Sequence, residues 1–328
     1  MSPWVRVIIV NYNAGDYLAC ATRALAAQTD PNFEAVVVEN GSDDGSIDRL
    51  SIPDQRFSIV RAGGNIGFAA GCNLGARGAS TPWLAMLNPD AAPRPNWLEA
   101  ARDAIARHPR VAAFGSTQLS AENEALLDGA GDNYSIFGLA WRGGYSCAAE
   151  QVTSDFYVFS PCAAAAFYRR EAFESVGGFA ESFFCYREDV DLGFRLRLAG
   201  HDVMQLAKAQ VTHAGSAITG RQSAFTIYHS ARNNIYMLVR CMPMPLLVIA
   251  LPLHLAAQAY ITTRCRALLP YRAQIRGILD GLNAMPQLLR ERRKIQTNRR
   301  LTTIDIARII TWTPRRLSRH EIVSLRKT

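Results

Sequence analysis

The sequence has no paired cysteine motif. Its seven cysteines (Cys20, Cys72, Cys147, Cys162, Cys185, Cys241, Cys265) are scattered, without a CxxC. An odd, dispersed set excludes a disulfide framework and a zinc site and predicts reduced thiols in a cytosolic compartment. A charged n-region followed by a long apolar h-region is also missing. The opening apolar run stops at Asn11, so a cytosolic body is expected. No internal repeat or low-complexity tract is visible. No GxGxxG follows the first predicted strand, where Asn11-Tyr12-Asn13 stands instead, and this argues against a nicotinamide-dependent oxidoreductase. A clean run of about 20 apolar residues, the length of a membrane-spanning helix, is missing too. The most apolar stretch, residues 244–261, is broken by Pro252 and His254.

What is present is unevenly charged. The chain of 328 residues carries a net +8. Residues 1–263 hold 20 lysines and arginines against 24 acids, whereas residues 264–328 hold 16 against 4. A basic tail on a mildly acidic body reads as a nucleic-acid arm, a patch for anionic lipid or a solubilising tail. Ile275, Ile278, Leu279, Leu282 and Met285 recur at helical spacing, which favours a membrane surface over nucleic acid. Residues 244–261 suit an interfacial or re-entrant segment, a full span, or a core helix. The neighbouring basic tail favours the membrane.

The first 120 residues alternate short β-branched runs with helical stretches, the pattern of a parallel sheet. Strands are expected at 5–10, 33–38, 57–60, 83–87 and 111–114, with helices at 14–28, 67–78 and 95–107. Residues 129–161 read as a hairpin or a long loop. Helices follow at 170–176 and from 190, with short strands at 203–206 and 210–212. Division into domains is expected near residue 230, with 1–230 catalytic and 231–328 helical, basic and membrane-associating.

Four segments stand in order: VIIVNYN (7–13), VVVENGSDDGS (36–46), NIGFAAGCNLGA (65–76) and LNPDA (87–91). They are followed by GGFAESFFCYREDVDLGFRLRLAG (177–200) and His213-Ala214-Gly215-Ser216. In this order and spacing they resemble the inverting family 2 glycosyltransferases of the GT-A fold. The likeness covers roughly residues 4–240 and is nearest to rhamnosyltransferase-like members of bacterial surface polysaccharide synthesis. It implies an α/β fold with a Rossmann-like mixed sheet. It also implies a nucleotide-sugar donor, a lipid-linked glycan acceptor and a divalent cation, Mg2+ or Mn2+.

Sites in open α/β sheets lie at the carboxyl ends of strands, where Asn11, Tyr12, Asn13, Glu39, Asn40 and Asp90 fall. Glu39 stands where the family has a nucleotide-binding Asp, one methylene longer. Asp43 and Asp44 suit a turn or helix cap. Asn88-Pro89-Asp90 matches the family's metal-binding DXD-type loop, and without the other motifs it would read as a strand-ending turn. His213 matches a late histidine of the metal or diphosphate site, against a structural or surface role. Asp189 matches the family's general base, with Glu188 orienting the acceptor, while Asp191 and Arg195 form an i,i+4 pair. Two neighbouring carboxylates raise such a base's proton affinity and a helix N-terminus lowers it, so an ionised base is expected. Asn65 and Gly67 form a turn near the donor, and Arg232 meets phosphate or an interdomain salt bridge. The expected reaction is transfer of rhamnose from dTDP-rhamnose at the cytoplasmic membrane face by a peripheral enzyme. A UDP-hexose donor, or a non-catalytic nucleotide-sugar-binding scaffold, is the alternative.

Overall fold

The computed structural model describes residues 2–52, 54–215, 220, 222–264 and 270–326, so Ser216 and Cys265 lie outside the described residues. The amino-terminal half alternates strand and helix: β1 (Val5–Asn11), α1 (Tyr17–Ala26), β2 (Phe33–Glu39), β3 (Phe57–Arg61), α2 (Gly67–Ala76) and β4 (Trp83–Leu87). β1 pairs in parallel with β2 and β4, and β2 with β3. In β1 and in β2 six of the seven residues are buried, the last five without a break, as expected of strands covered on both faces. The small residues of α2 let it lie close on β1. A Cβ at Gly75 would stand 2.5 Å from Ile8 Cγ2.

β5 (Ala91–Pro93), α3 (Trp97–Arg107), β6 (Val111–Ser120), β7 (Leu127–Gly129), β8 (Asp132–Tyr134), β9 (Ala140–Arg142) and β10 (Phe156–Tyr157) follow. After them come β11 (Ala165–Arg169), α4 (Arg170–Ser175), α5 (Glu188–Leu198) and β12 (Asp202–His213). β11 inserts antiparallel between β4 and β6, which makes the sheet mixed, in the order β10-β12-β6-β11-β4-β1-β2-β3. The sequence pattern gives no strand at β11: its AAFYR is Ala-rich and buried on both faces, so it neither alternates nor shows strong β-propensity. The short strands expected at 203–206 and 210–212 are one twelve-residue strand with a register shift between Leu206 and Gln210. β6 extends six residues past the expected 111–114, and 129–161 contains the β8–β9 hairpin.

The remaining chain is helical: α6 (Ala224–Cys241), α7 (Met244–Arg264), α8 (Tyr271–Asn283), α9 (Met285–Thr297), α10 (Thr303–Ile309) and α11 (Pro314–Ser318). α6 runs across the expected boundary at 230. One apolar cluster joins Tyr134, Phe159 and Phe194 of the sheet-bearing part to Met237, Leu246 and Ile306. The carboxyl-terminal helices are therefore packed into the body. α7 is amphipathic in space though not in sequence. Leu246, Leu247, Ala250, His254 and Gln258 are buried, while Val248 is 68% and Tyr260 64% exposed. His254 Nδ1 lies 2.9 Å from the carbonyl oxygen of Phe137, which pins the buried stripe.

The deepest tie between the two parts is ionic. Fully buried Asp191 on α5 accepts from Arg195 Nε at 2.7 Å and from Arg240 Nη1 on α6 at 2.9 Å. The expected Asp191–Arg195 pair is thus present, with a third member. Burial would raise the Asp191 carboxyl, but Arg195 and Arg240 outweigh it and hold it below the ordinary value. Its stabilisation is thus present above the unfolded carboxyl range and is lost as pH falls through the folded value. Asp191→Ala, which strands two guanidinium groups, should cost about 3–5 kcal/mol in urea unfolding. A loss under about 1 kcal/mol would show that water replaces the carboxylate.

Candidate active site

A cleft of about 810 Å³ opens at the carboxyl ends of β1 and β4. Tyr12, Asn40, Asn65, Gly67, Asn88 and Asp90 line one wall, and Asp132, Glu188, Asp189 and His213 line the rest. The other expected donor-side residues stand behind this surface. Asn11 is fully buried, and its Nδ2 donates to Glu39 Oε2 at 2.9 Å and to the hydroxyls of Ser42 and Ser46. Glu39 Oε1 accepts from Ser42 N at 2.6 Å. One oxygen of Glu39 therefore meets Asn11 and the other the 40–46 loop, and Glu39 does not line the cleft, a correction to the expectation that it faces base or ribose. Asn13 Oδ1 accepts from Asp43 N and is likewise outside the cleft wall. Asp44 accepts from Gly15 N and Ser46 N, the expected turn role.

Asn40 Oδ1 accepts from Ile66 N, and Asn65 Oδ1 accepts from Gly67 N and Asn40 Nδ2. These amides fix the turn into α2. Gly67 has φ +84°, and a Cβ there would stand 2.6 Å from the ring and the carbonyl oxygen of Phe184, so glycine is required.

Asp90 and His213 meet because β5 pairs antiparallel with β12, setting Ala91 opposite His213. His213 Nε2 lies 3.3 Å from Asp90 Oδ1, and Nδ1 lies 2.8 Å from Asp128 Oδ2. All three side chains are buried. Burial would lower the His213 imidazole, but the bonds to Asp128 and Asp90 outweigh it and push it up to about 9. Asp128 was not singled out in the sequence. It sits in an LDGAGD run whose glycines obscure any strand period. Its oxygen also accepts from Arg142 Nη1 at 2.7 Å.

The acidic cluster sits at the start of α5, two residues earlier than the expected helix start at 190. Phe184, Tyr186 and Arg187 all have φ near +70°, a left-handed backbone that non-glycine residues rarely adopt. Asn233 on α6 holds it, with Nδ2 donating to the carbonyls of Phe183, Cys185 and Tyr186. Arg232 Nη2 donates to the carbonyls of Ser182 and Phe183. That is the correction for Arg232: it braces the loop before the cluster and does not line the cleft. Asp189, half-buried, accepts from Ala163 N through Oδ2 and from Val190 N through Oδ1.

Glu188 is buried, and burial together with Asp189 pushes its carboxyl well above the ordinary range. Asp132 faces the cluster from β8. Burial and Asp189, against Arg142 and Arg187, push it up to about 7. Five carboxyls thus line the cleft, Asp90, Asp128, Asp132, Glu188 and Asp189, and the sequence flags all but Asp128 and Asp132. The chain's end also returns to this site: His320 lines the cleft, and its carbonyl accepts from Gly144 N at 2.6 Å.

This arrangement can hold a diphosphate-bearing ligand and a cation on one wall and accept a proton on the other. Residues 6–177 match the family model described as glycosyl transferase family 2. The N-acetylglucosaminyl-diphospho-decaprenol L-rhamnosyltransferase of Mycobacterium tuberculosis is 32% identical over 250 residues, covering 68% of this chain and 80% of that one. The mannosyltransferase PcManGT from Pyrobaculum calidifontis, solved with GDP-Man and Mn2+, superposes with a TM-score of 0.53 at 17% identity. It covers 87% of this chain and 88% of that one. S. aureus TarS 1–349 with UDP gives a TM-score of 0.56 at 16% identity, covering 91% and 89%. These solved structures share the GT-A architecture, and on the family match and the mycobacterial identity together the chain belongs to glycosyl transferase family 2.

Proposed function

We propose that this glycosyltransferase moves rhamnose from dTDP-rhamnose to a hydroxyl of a lipid-linked glycan, with inversion and with help from Mg2+ or Mn2+. The observation that carries the reading is the juxtaposition, in one cleft at the strand ends, of the Asp90–His213 pair and the half-buried Asp189. The rhamnosyl donor and the diphospho-lipid acceptor are suggested by the mycobacterial relative's name. A UDP-hexose donor is the second reading, favoured by the fold shared with a UDP-bound neighbour. A non-catalytic scaffold has no use for Asp90, Asp189 and His213 in one cleft.

The residues present fit a hard divalent cation. Asp90 offers a carboxylate oxygen, and His213 offers Nε2 while its Nδ1 is anchored on Asp128, an arrangement typical of metal-ligating histidines. Bound there, the cation would neutralise charge developing on the leaving diphosphate. Asp189 takes the proton of the acceptor hydroxyl, and Glu188 orients that hydroxyl. Tyr12, Asn40, Asn65, Gly67 and Asn88 shape the donor side. A lipid-linked acceptor requires the cleft to work at a membrane. α7, the one described helix long and apolar enough to cross a membrane, shows its unburied face to solvent. We read it as a peripheral anchor on the anionic cytoplasmic leaflet, helped by Arg272 and Arg276 on α8.

Asp189→Asn should lower transfer about 10²–10⁴-fold while leaving the thermal shift by donor in place; full activity would rule out this base. Cation binding must displace the proton held by His213. Calorimetric affinity for Mn2+ should therefore rise about tenfold per pH unit up to about 9, where the imidazole is already neutral. His213→Gln should abolish that dependence and Asp90→Asn should weaken binding while keeping the dependence, and a pH-independent affinity in the unsubstituted protein would place the cation elsewhere. Val248→Asp combined with Ile249→Asp should release the protein from anionic vesicles in a flotation assay. Unchanged partitioning would sink the anchor role.

A further inference from the structure

Behind Asp189, on the hairpin side of the cleft, stands Asp132. Ser160 fixes both. Asp132 N donates to Ser160 O at 2.8 Å, and Ser160 N donates to Asp132 O at 3.1 Å. Ser160 Oγ donates to the carbonyl of Asp189 at 2.9 Å. A Cβ on Gly193 would collide with Ser160, so α5 reaches this position only with glycine there. As a result an oxygen of Asp132, an oxygen of Asp189 and Cys162 Sγ lie within 4.8 Å of one another.

The charged groups facing Asp132 come from every side: Arg142 across the hairpin, Asp128 from β7, and Arg187, Glu188 and Asp189 at the start of α5. Arg142 Nε is 3.9 Å from Asp132 Oδ1, but its Nη1 is committed to Asp128 at 2.7 Å. Its Nη2 donates to Cys162 Sγ, so a metal ion held by Asp132, Cys162 and Asp189 would face a guanidinium. That favours a proton over a cation between the two carboxylates. Like charges this close, one buried and one half-buried, cannot both ionise at low cost.

We propose that Asp132 and Asp189 act as one proton-accepting pair, so that the acceptor's proton is taken by the pair and not by an isolated Asp189. The inference rests on the transferase reading above. In the step, the acceptor O–H bond breaks and its oxygen bonds to the anomeric carbon. The bond from that carbon to the diphosphate oxygen breaks, with its electron pair leaving on the diphosphate. The proton ends on an Asp189 oxygen, shared with Asp132. Its uptake relieves the repulsion within the ionised pair, which makes the pair a stronger base near neutrality than a lone exposed aspartate. Asp132 acts through Asp189 and is a positioning residue. The upward push that burial and Asp189 give the Asp132 carboxyl agrees with this.

Two measurements on the full chain test this. The first follows the infrared band of protonated carboxyls in substrate-free protein from about pH 5 to 9. We expect a component titrating near 7 that is absent in Asp132→Asn and moves down by about one unit in Asp189→Asn. A component unchanged by both substitutions, or missing from the unsubstituted protein, overturns the pair. If circular dichroism shows that Asp132→Asn does not fold, the Asp189→Asn shift decides alone. The second is kcat/KM against pH with dTDP-rhamnose and a polyprenyl-diphospho-N-acetylglucosamine. The rate should rise through about 7, and in Asp132→Asn the rise should move to lower pH with a plateau about tenfold lower. A loss by the same factor at every pH, with the midpoint kept, would make Asp132 merely structural and overturn the proposal. An infrared component that behaves as expected with no turnover of any nucleotide sugar would remove the transferase reading and leave the coupled pair standing.

Discussion

The buried carboxylate of Asp191 holds the sheet-bearing part and the carboxyl-terminal helices in one register. One oxygen takes Arg195 on its own helix, the other takes Arg240 on α6, and Arg240 continues through Nε to Glu291 on α9 at 2.7 Å. Because α5 also carries Glu188 and Asp189 in its first turn, the tie that docks α6 and α9 sets the position of the acidic cluster. Removing Asp191 would strand two buried guanidinium groups, so the network constrains geometry more than it adds stability. Asn233, about two turns before Arg240 on α6, completes the constraint by holding the left-handed loop that leads into the cluster.

A second consequence is electrostatic. Groups of alternating sign run from the donor wall to the acceptor wall: Asp90, His213, Asp128, Arg142, then Asp132 beside Asp189. These groups touch in sequence within one cleft, so a change of charge at one of them is felt by its neighbours without movement of the backbone.

Much of this was legible in the sequence, and what was not has physical reasons. The strands β1 and β2 announce themselves through Val- and Ile-rich runs and β4 through an unbroken apolar run, and the polar residues that end them fall near the cleft. Asp90, Asp189 and His213 are found by motif because each sits at the end or start of an element. β11 is invisible because alanine satisfies neither β-propensity nor alternation, yet its insertion converts a parallel sheet into a mixed one. Asp128 and Asp132 lie on three-residue strands separated by Gly-Ala-Gly, too short to show a period. Their partner Arg142 is ten residues beyond Asp132, and it is the hairpin register that sets the two opposite. Glu39 and Arg232 mark the opposite failure. Each sits at a motif position, but near neighbours take its polar atoms: Ser42 and Asn11 for Glu39, two loop carbonyls for Arg232. Sequence gives the site's vocabulary, whereas the pairing that turns a side chain inward is a tertiary property.

The change of composition near residue 230 bears on how such an enzyme could meet a membrane. The composition shift is real, yet α6 is continuous across it and the last residues come back to the cleft. Trp141 Nε1 donates to the carbonyl of Glu321, Leu325 N donates to that of Tyr157, and the ring of His320 lies against Tyr145. The exposed face of α7 and the hairpin that carries Asp132 and Arg142 are therefore joined through packed helices and not through a linker. His254 of α7 is hydrogen-bonded to Phe137 in the turn of that same hairpin. A surface that engaged α7 would thus fix the orientation of the acceptor wall with it, and a lipid-linked acceptor entering from that surface would meet the carboxylates in a set direction. With a flexible tether each encounter would have to pay the cost of orienting the cleft; here folding has already met it.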